Sequence, residues 1–129
     1  MSTRANIVLD SNRYNRIWLY HHWDGYPSGL GVNLMNFLAD KSGKDAGYNE
    51  WYHDSIYLAN QLIKDKDDDG YELTGGQHGD IDYLYKIDTG SRTIWAYEVC
   101  SDGKLECLMH VKYEDEEERK KWFEWCEKH

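Results

Sequence analysis

Proline occurs once in this chain, at Pro27, and cysteine three times, at Cys100, Cys107 and Cys126. An odd number of cysteines without paired spacing does not build a disulfide frame and fits reduced thiols in a cytosolic protein better. No apolar run approaches the length of a membrane-spanning helix, and Met1-Ser2-Thr3-Arg4-Ala5-Asn6 does not read as a signal peptide. The expectation is a cytoplasmic protein with no membrane partner. Positive charge is also scarce: 15 Lys and Arg stand against 24 Asp and Glu, a net charge of −9. Direct binding of a nucleic-acid backbone is disfavoured, because it needs cations to displace counterions. A cationic partner stays open, including a protein whose own basic groove holds nucleic acid. Solubility alone would also account for the charge.

Several kinds of chemistry lack their signatures. No glycine-rich loop ends in Gly-Lys-Ser/Thr, so no P-loop is present. Gly-Tyr-Pro-Ser-Gly around Ser28 lacks the Gly-x-Ser-x-Gly elbow of a nucleophilic serine. Cys100 and Cys107 fall on expected strands, not at a helix N-terminus where a thiolate would be favoured. No catalytic residue and no cofactor follow from the sequence.

What is present is aromatic and glycine-rich. A chain of 129 residues forms one domain. Mean hydropathy is −0.87 with 30% charged residues, yet aromatics reach 15%. Tryptophan and tyrosine must therefore supply much of the core, with their polar tips seeking hydrogen-bond partners. The stretch His21-His22-Trp23-Asp24-Gly25-Tyr26-Pro27-Ser28-Gly29-Leu30-Gly31 stands out. A connector needs turn formers, but it does not need imidazoles and rings beside them. Glycines permit positive φ or the close approach of another group. The stretch reads as a shaped loop leaving a strand and entering a helix, where sites are commonly carried.

Around it, Ala5 to Leu9 and Arg16 to Trp23 read as strands, joined by a turn over residues 10–15. In the second strand His22 and Asp24 share a face if it runs that far. Leu30, Leu34, Phe37 and Leu38 then repeat at helical spacing, with Gly43 suited to a left-handed cap. Lys44 to Tyr52 reads as a loop. A second helix follows, with Asp54 or Ser55 as N-cap and Ile56, Ala59 and Ile63 inward. Ile81 to Ile87, Thr93 to Cys100 and Leu105 to Tyr113 form an antiparallel meander. Glu114 to Lys128 closes the chain as a helix that docks Trp122, Trp125 and Cys126, its early acids suiting the helix dipole. The fold class is α+β: a single domain with an antiparallel sheet of about five or six strands, a helix pair inserted after the second strand, and a C-terminal helix.

Two constellations carry candidate chemistry. His22-Trp23-Asp24 and His78-Gly79-Asp80 repeat a His-x-Asp spacing. Converging at one end of the sheet, they could hold a divalent metal or supply an acid and a base. The competing reading is that each Asp fixes its own loop through backbone N–H groups. Asp65-Lys66-Asp67-Asp68-Asp69-Gly70 matches the first half of a calcium loop. Gly76 stands where a bidentate Glu should be, so weak or no calcium binding is expected. The rings of Trp18, Tyr20, Trp23, Tyr26, Tyr83, Tyr85, Trp95 and Tyr97 could form a platform for a planar base or a protein hot spot, beside ordinary cross-strand packing.

The opening Met1-Ser2-Thr3-Arg4-Ala5-Asn6-Ile7, Trp23-Asp24-Gly25-Tyr26-Pro27 and His78-Gly79-Asp80-Ile81-Asp82-Tyr83-Leu84-Tyr85 resemble a family of small phage, prophage and bacterial proteins. The likeness extends to about Val99. That family usually reads Arg-His-Trp-Asp-Gly-Tyr-Pro, where this chain has His21 in place of the arginine. The exchange removes a fixed charge and makes the position titratable, so an anion contact of that arginine does not carry over. The resemblance implies an accessory protein of a phage or mobile element and supplies no catalytic residue. The leading expectation is stoichiometric binding of a host defence protein, as an inhibitor of the anti-CRISPR kind, through His21, His22, Trp23, Asp24, Tyr26, His78 and Asp80. The alternatives are a sponge for a signalling nucleotide and a small metal-dependent hydrolase using the His-x-Asp pairs. A homo-oligomer stays open.

Overall fold

The computed structural model describes residues 3–10, 16–41, 55–65 and 71–129. Among them are strands β1 (Ala5–Asp10), β2 (Ile17–His21), β3 (Tyr71–Thr74), β4 (Tyr83–Asp88), β5 (Thr93–Val99) and β6 (Leu105–Lys112), and helices α1 (Val32–Lys41), α2 (Ser55–Asp65) and α3 (Glu116–Glu127). The strands form a single six-stranded sheet in the order β3-β2-β1-β4-β5-β6. The fold is α+β, as the residue pattern implies.

β1 is central because both of its faces are apolar. Ala5, Ile7 and Leu9 meet the helices, while Val8 points to the opposite face with Leu84 and Tyr20. The helix-covered face holds the main core. Leu19, Tyr85, Ile87, Ile94, Ala96 and Val111 from the sheet pack there with Leu34, Met35, Leu38, Leu58, Leu62 and Trp122 from the helices. The other face, open of helices among the described residues, has a smaller cluster of Val8, Tyr20, Ile81 and Leu84, flanked by Trp18, Tyr97 and Val99.

The expected all-antiparallel sheet needs one correction. β1 and β4 run parallel, Ala5 opposite Tyr83, whereas the other pairings are antiparallel. β4 lies on the far side of β1 from β2, so residues 75–82 must carry the chain from the β3 edge across to the sheet centre. That crossing is made over the open face.

Local boundaries differ in instructive ways. β2 stops at His21, two residues short of the expected end, because Asp24 turns into left-handed backbone at φ 52°. His22 and Asp24 therefore share no strand face. Helix α1 is preceded by a single π-helical turn, Pro27–Gly31, with Pro27 in its first position, where the missing N–H costs nothing. On α2, Ser55, Leu58, Ala59 and Leu62 are buried and Ile63 packs against the core, as expected for Ala59 and Ile63, while Ile56 is 45% exposed and leaves the inward face. α3 begins two residues later than expected because the Asp115 carboxylate accepts the N–H groups of Glu117 and Glu118 as its cap. The Gly43 cap, the 44–52 loop, Asp54, and positions 66–70 of the calcium-like run lie outside the described residues.

Trp122 and Cys126 are fully buried as expected, and the Trp122 indole donates to the Gly31 carbonyl at 2.9 Å. Trp122→Phe should destabilise the protein by about 2 kcal/mol, since it leaves a buried carbonyl unpaired. Urea unfolding followed by circular dichroism measures this. Burial pushes the Cys126 thiol up to about 12. Because the folded state holds this proton more tightly, its contribution is fully present below the ordinary thiol value of 9.0 and is lost as pH rises toward 12. The urea midpoint should therefore fall between pH 9 and 11, with a shallower fall in Cys126→Ala.

Candidate functional site

The glycine loop is fixed from three sides. Gly25 N–H donates to the Thr3 carbonyl at 2.9 Å, and Leu30 N–H to the Asp24 carbonyl at 2.9 Å. The Tyr85 hydroxyl, from the core, donates to the Gly25 carbonyl at 2.8 Å. A Cβ on Gly25 would sit 2.9 Å from the Thr3 oxygen, and one on Gly29 would sit 2.6 Å from the Asp24 oxygen. Close backbone approach, not ligand access, explains these two glycines.

Side chains from this loop and from the 75–82 crossing meet around Tyr20 on the open face. The Tyr20 hydroxyl lies 2.9 Å from His22 Nδ1. Burial, the carboxylate of Asp80 and, more weakly, that of Glu72 raise the Tyr20 pKa, against a smaller opposing effect of Arg4. The phenol therefore keeps its proton, and the hydroxyl and Nδ1 share one hydrogen bond whose direction the imidazole tautomer sets. The His78 ring stacks on Tyr20 with centroids 4.2 Å apart at 15°. His78 Nε2 lies 2.9 Å from Thr74 Oγ1, and the His78 backbone N–H donates to Asn6 Oδ1 at 2.7 Å. Asn6 is fully buried and donates from Nδ2 to the Leu19 carbonyl at 2.8 Å.

The two imidazoles of the His-x-Asp pairs thus both contact Tyr20, His22 at its hydroxyl and His78 on its ring face. Their carboxylates do not join them. Asp24 accepts from the Tyr26 hydroxyl at 3.2 Å. Asp80 takes the Arg4 guanidinium at 2.9 Å and stays 4.0 Å from His78 Nδ1. No group of three or more His, Cys, Asp or Glu able to hold a metal occurs among the described residues. The Thr74–His78 contact has the spacing of a nucleophile and a base. Yet the acid that would orient such a base is drawn to Arg4, and the His78 ring is held by the Tyr20 stack while Asn6 holds only the backbone of His78.

His21 departs from the expected contact face. As the last residue of β2 it points to the helix side, is 4% exposed, and tilts against the Tyr71 ring at 4.7 Å. A surface joining His21 to His78 is thereby excluded, because alternate strand residues occupy opposite faces. Trp23 is the reverse case. It is 60% exposed, and its ring meets the edge of His22 at 4.7 Å and 85°. Tyr20, expected only as one of the platform rings, and Thr74, Arg4 and Asn6, which the residue pattern did not single out, complete the cluster. The legible clue was Asn6, a lone amide within an apolar strand.

Comparison with protein-family models, curated proteins and solved structures finds no match for this chain.

Asn6→Ala should release the crossing without unfolding the sheet. Amide exchange should rise across residues 75–82 while β5 and β6 stay protected, and the ring-current shift of His78 on Tyr20 should disappear. Uniform exchange throughout the sheet would show that Asn6 serves global stability alone.

Proposed function

We propose that this protein acts by stoichiometric binding, with Trp23 as the anchor and the His22–Tyr20–His78 stack as its polar flank. The observation that carries this reading is a large ring exposed to solvent on a backbone that has little freedom. Left-handed Asp24, the Gly25 clamp to Thr3 and the edge contact with His22 all restrain it. Such a side chain loses little entropy when a partner covers it, and aromatic anchors of this kind dominate many interfaces. The carboxylates of the two His-x-Asp pairs are engaged in holding Tyr26 and Arg4, which favours binding over metal-dependent hydrolysis.

The partner class follows from charge and from the resemblance to phage and prophage proteins. A chain of net charge −9 associates fastest with a basic surface. An immunity component of a bacterial host, inhibited in the manner of an anti-CRISPR protein, is the partner that fits both.

Immobilised protein and its Trp23→Ala variant should capture different sets of proteins from bacterial lysate, and the Trp23-dependent protein is then purified and titrated. Its activity should fall linearly to zero at a fixed molar ratio. Trp23→Ala should weaken the complex by about 2 kcal/mol or more with an unchanged circular dichroism spectrum. Loss of target activity at substoichiometric amounts, abolished by His22→Ala or His78→Ala, would establish an enzyme instead.

A further inference from the structure

A second constellation stands on the open face, on strands β4 to β6. Trp95 of β5 has Lys86 and His110 as its register partners on either side, so all three project from the same face. Lys86 Nζ lies 4.9 Å from the Trp95 ring centroid. On the other side the His110 ring lies 6.4 Å from Trp95, inclined by only 28°. Trp95 is half-buried and His110 is exposed.

Two near-parallel rings at this spacing make an incomplete stack. A third planar ring placed between them needs about 7 Å, twice the ~3.5 Å contact distance of carbon atoms. The ring centroids stand 6.4 Å apart, and the exposed His110 can turn outward to open the gap. Lys86 reaches the same ring from the β4 side, and its flexible stem lets the ammonium exchange this cation–π contact for an anion bound beside the ring. Lys112 lies opposite Thr93, two residues beyond His110, and so adds a second ammonium group to this face. The acids nearest in register are already engaged. The Asp88 carboxylate accepts from Gly90 and Ser91 N–H, and Asp10 pairs with Arg16.

We propose that Trp95 and His110 clamp the base of a free nucleotide whose phosphate is held by Lys86 and Lys112. A planar ring joined to an anion is the ligand that answers both halves of the constellation. A free nucleotide fits better than a nucleic-acid strand for two reasons. One ring pair accepts one base, and a chain of net charge −9 repels an extended polyanion far more than a single phosphate group. This surface is separate from the Trp23 anchor, and the inference does not depend on it.

Calorimetric titration with the four 5′-ribonucleoside monophosphates, and with adenosine, tests the proposal. At least one monophosphate should bind saturably with one site per chain at submillimolar concentration. His110→Ala and Trp95→Ala should each weaken it at least tenfold, within the range found for base–aromatic stacking. Lys86→Gln with Lys112→Gln should bring the affinity for AMP down to that for adenosine while leaving adenosine unchanged. Trp23→Ala should have no effect. His110 and Lys112 are exposed, so their variants remain informative if Trp95→Ala fails to fold. Absence of saturable binding by all four nucleotides at millimolar concentration would overturn the proposal, as would binding indifferent to His110→Ala. Tighter binding of a ten-nucleotide single strand than of any monophosphate at equal salt would overturn the choice of a free nucleotide.

Discussion

The arrangement depends on one buried amide. Placing β4 beside β1, on the far side from β2, leaves the chain to cross two strands in the few residues between Thr74 and Tyr83. A segment laid over a sheet cannot extend the ladder, so its own N–H and C=O groups need partners from elsewhere. Asn6 supplies one. Its Nδ2 is tied to the Leu19 carbonyl within the sheet, and its Oδ1 receives the His78 N–H from the crossing. An apolar residue here would leave His78 N–H unpaired beneath the chain, and a charged one would be buried on the central strand at great cost. With His78 fixed at its backbone, its ring falls on Tyr20, Ile81 enters the small core with Val8 and Leu84, and Asp80 reaches Arg4.

Much of this fold was legible in the residues, though not the crossing. Alternation located the central strands, and the charge pattern and periodicity of the final helix placed Trp122 and Cys126 correctly. These signals are local, and the parallel β1–β4 pair is not. It joins residues about eighty positions apart and leaves no periodic trace. The same limit explains His21. Two consecutive histidines read as a pair, but a strand sends them to opposite faces, and only the end of β2 decides which one is covered. On α2, Ala59 and Ile63 do face the core but Ile56 does not, because these three residues alone do not show that the stripe continues through Leu58 and Leu62.

The glycine-rich loop was legible as special, but for a reason other than the one its composition suggests. Glycines beside histidines invite the thought of a ligand approaching the backbone. The groups that approach are the protein's own: Thr3 against Gly25, Asp24 against Gly29, and the indole of Trp122 against the Gly31 carbonyl. The loop works as a joint between the end of the sheet and α3. Its rigidity is inherited from the core through Tyr85 and Trp122, and what that rigidity presents outward is the ring of Trp23.

Charge is distributed to match. The acids of α3 gather in its first turn, Glu116, Glu117 and Glu118 after the Asp115 cap, where the helix dipole favours them. That helix lies on the covered side of the sheet. Around Trp95 the open face instead carries Lys86, His110 and Lys112, with Asp10 and Asp88 each bound locally, while the acids Glu72 and Asp80 lie at the other end beside Tyr20. A net charge of −9 therefore misdescribes the surface that a ligand at the open face meets. Long-range repulsion acts on the approach of large polyanions and is weakened by salt. Contact energies at the face depend on the groups within a few ångströms, which here are cationic and aromatic. A protein arranged in this way can exclude a nucleic-acid strand by its overall field and still offer a local seat to a small planar anion.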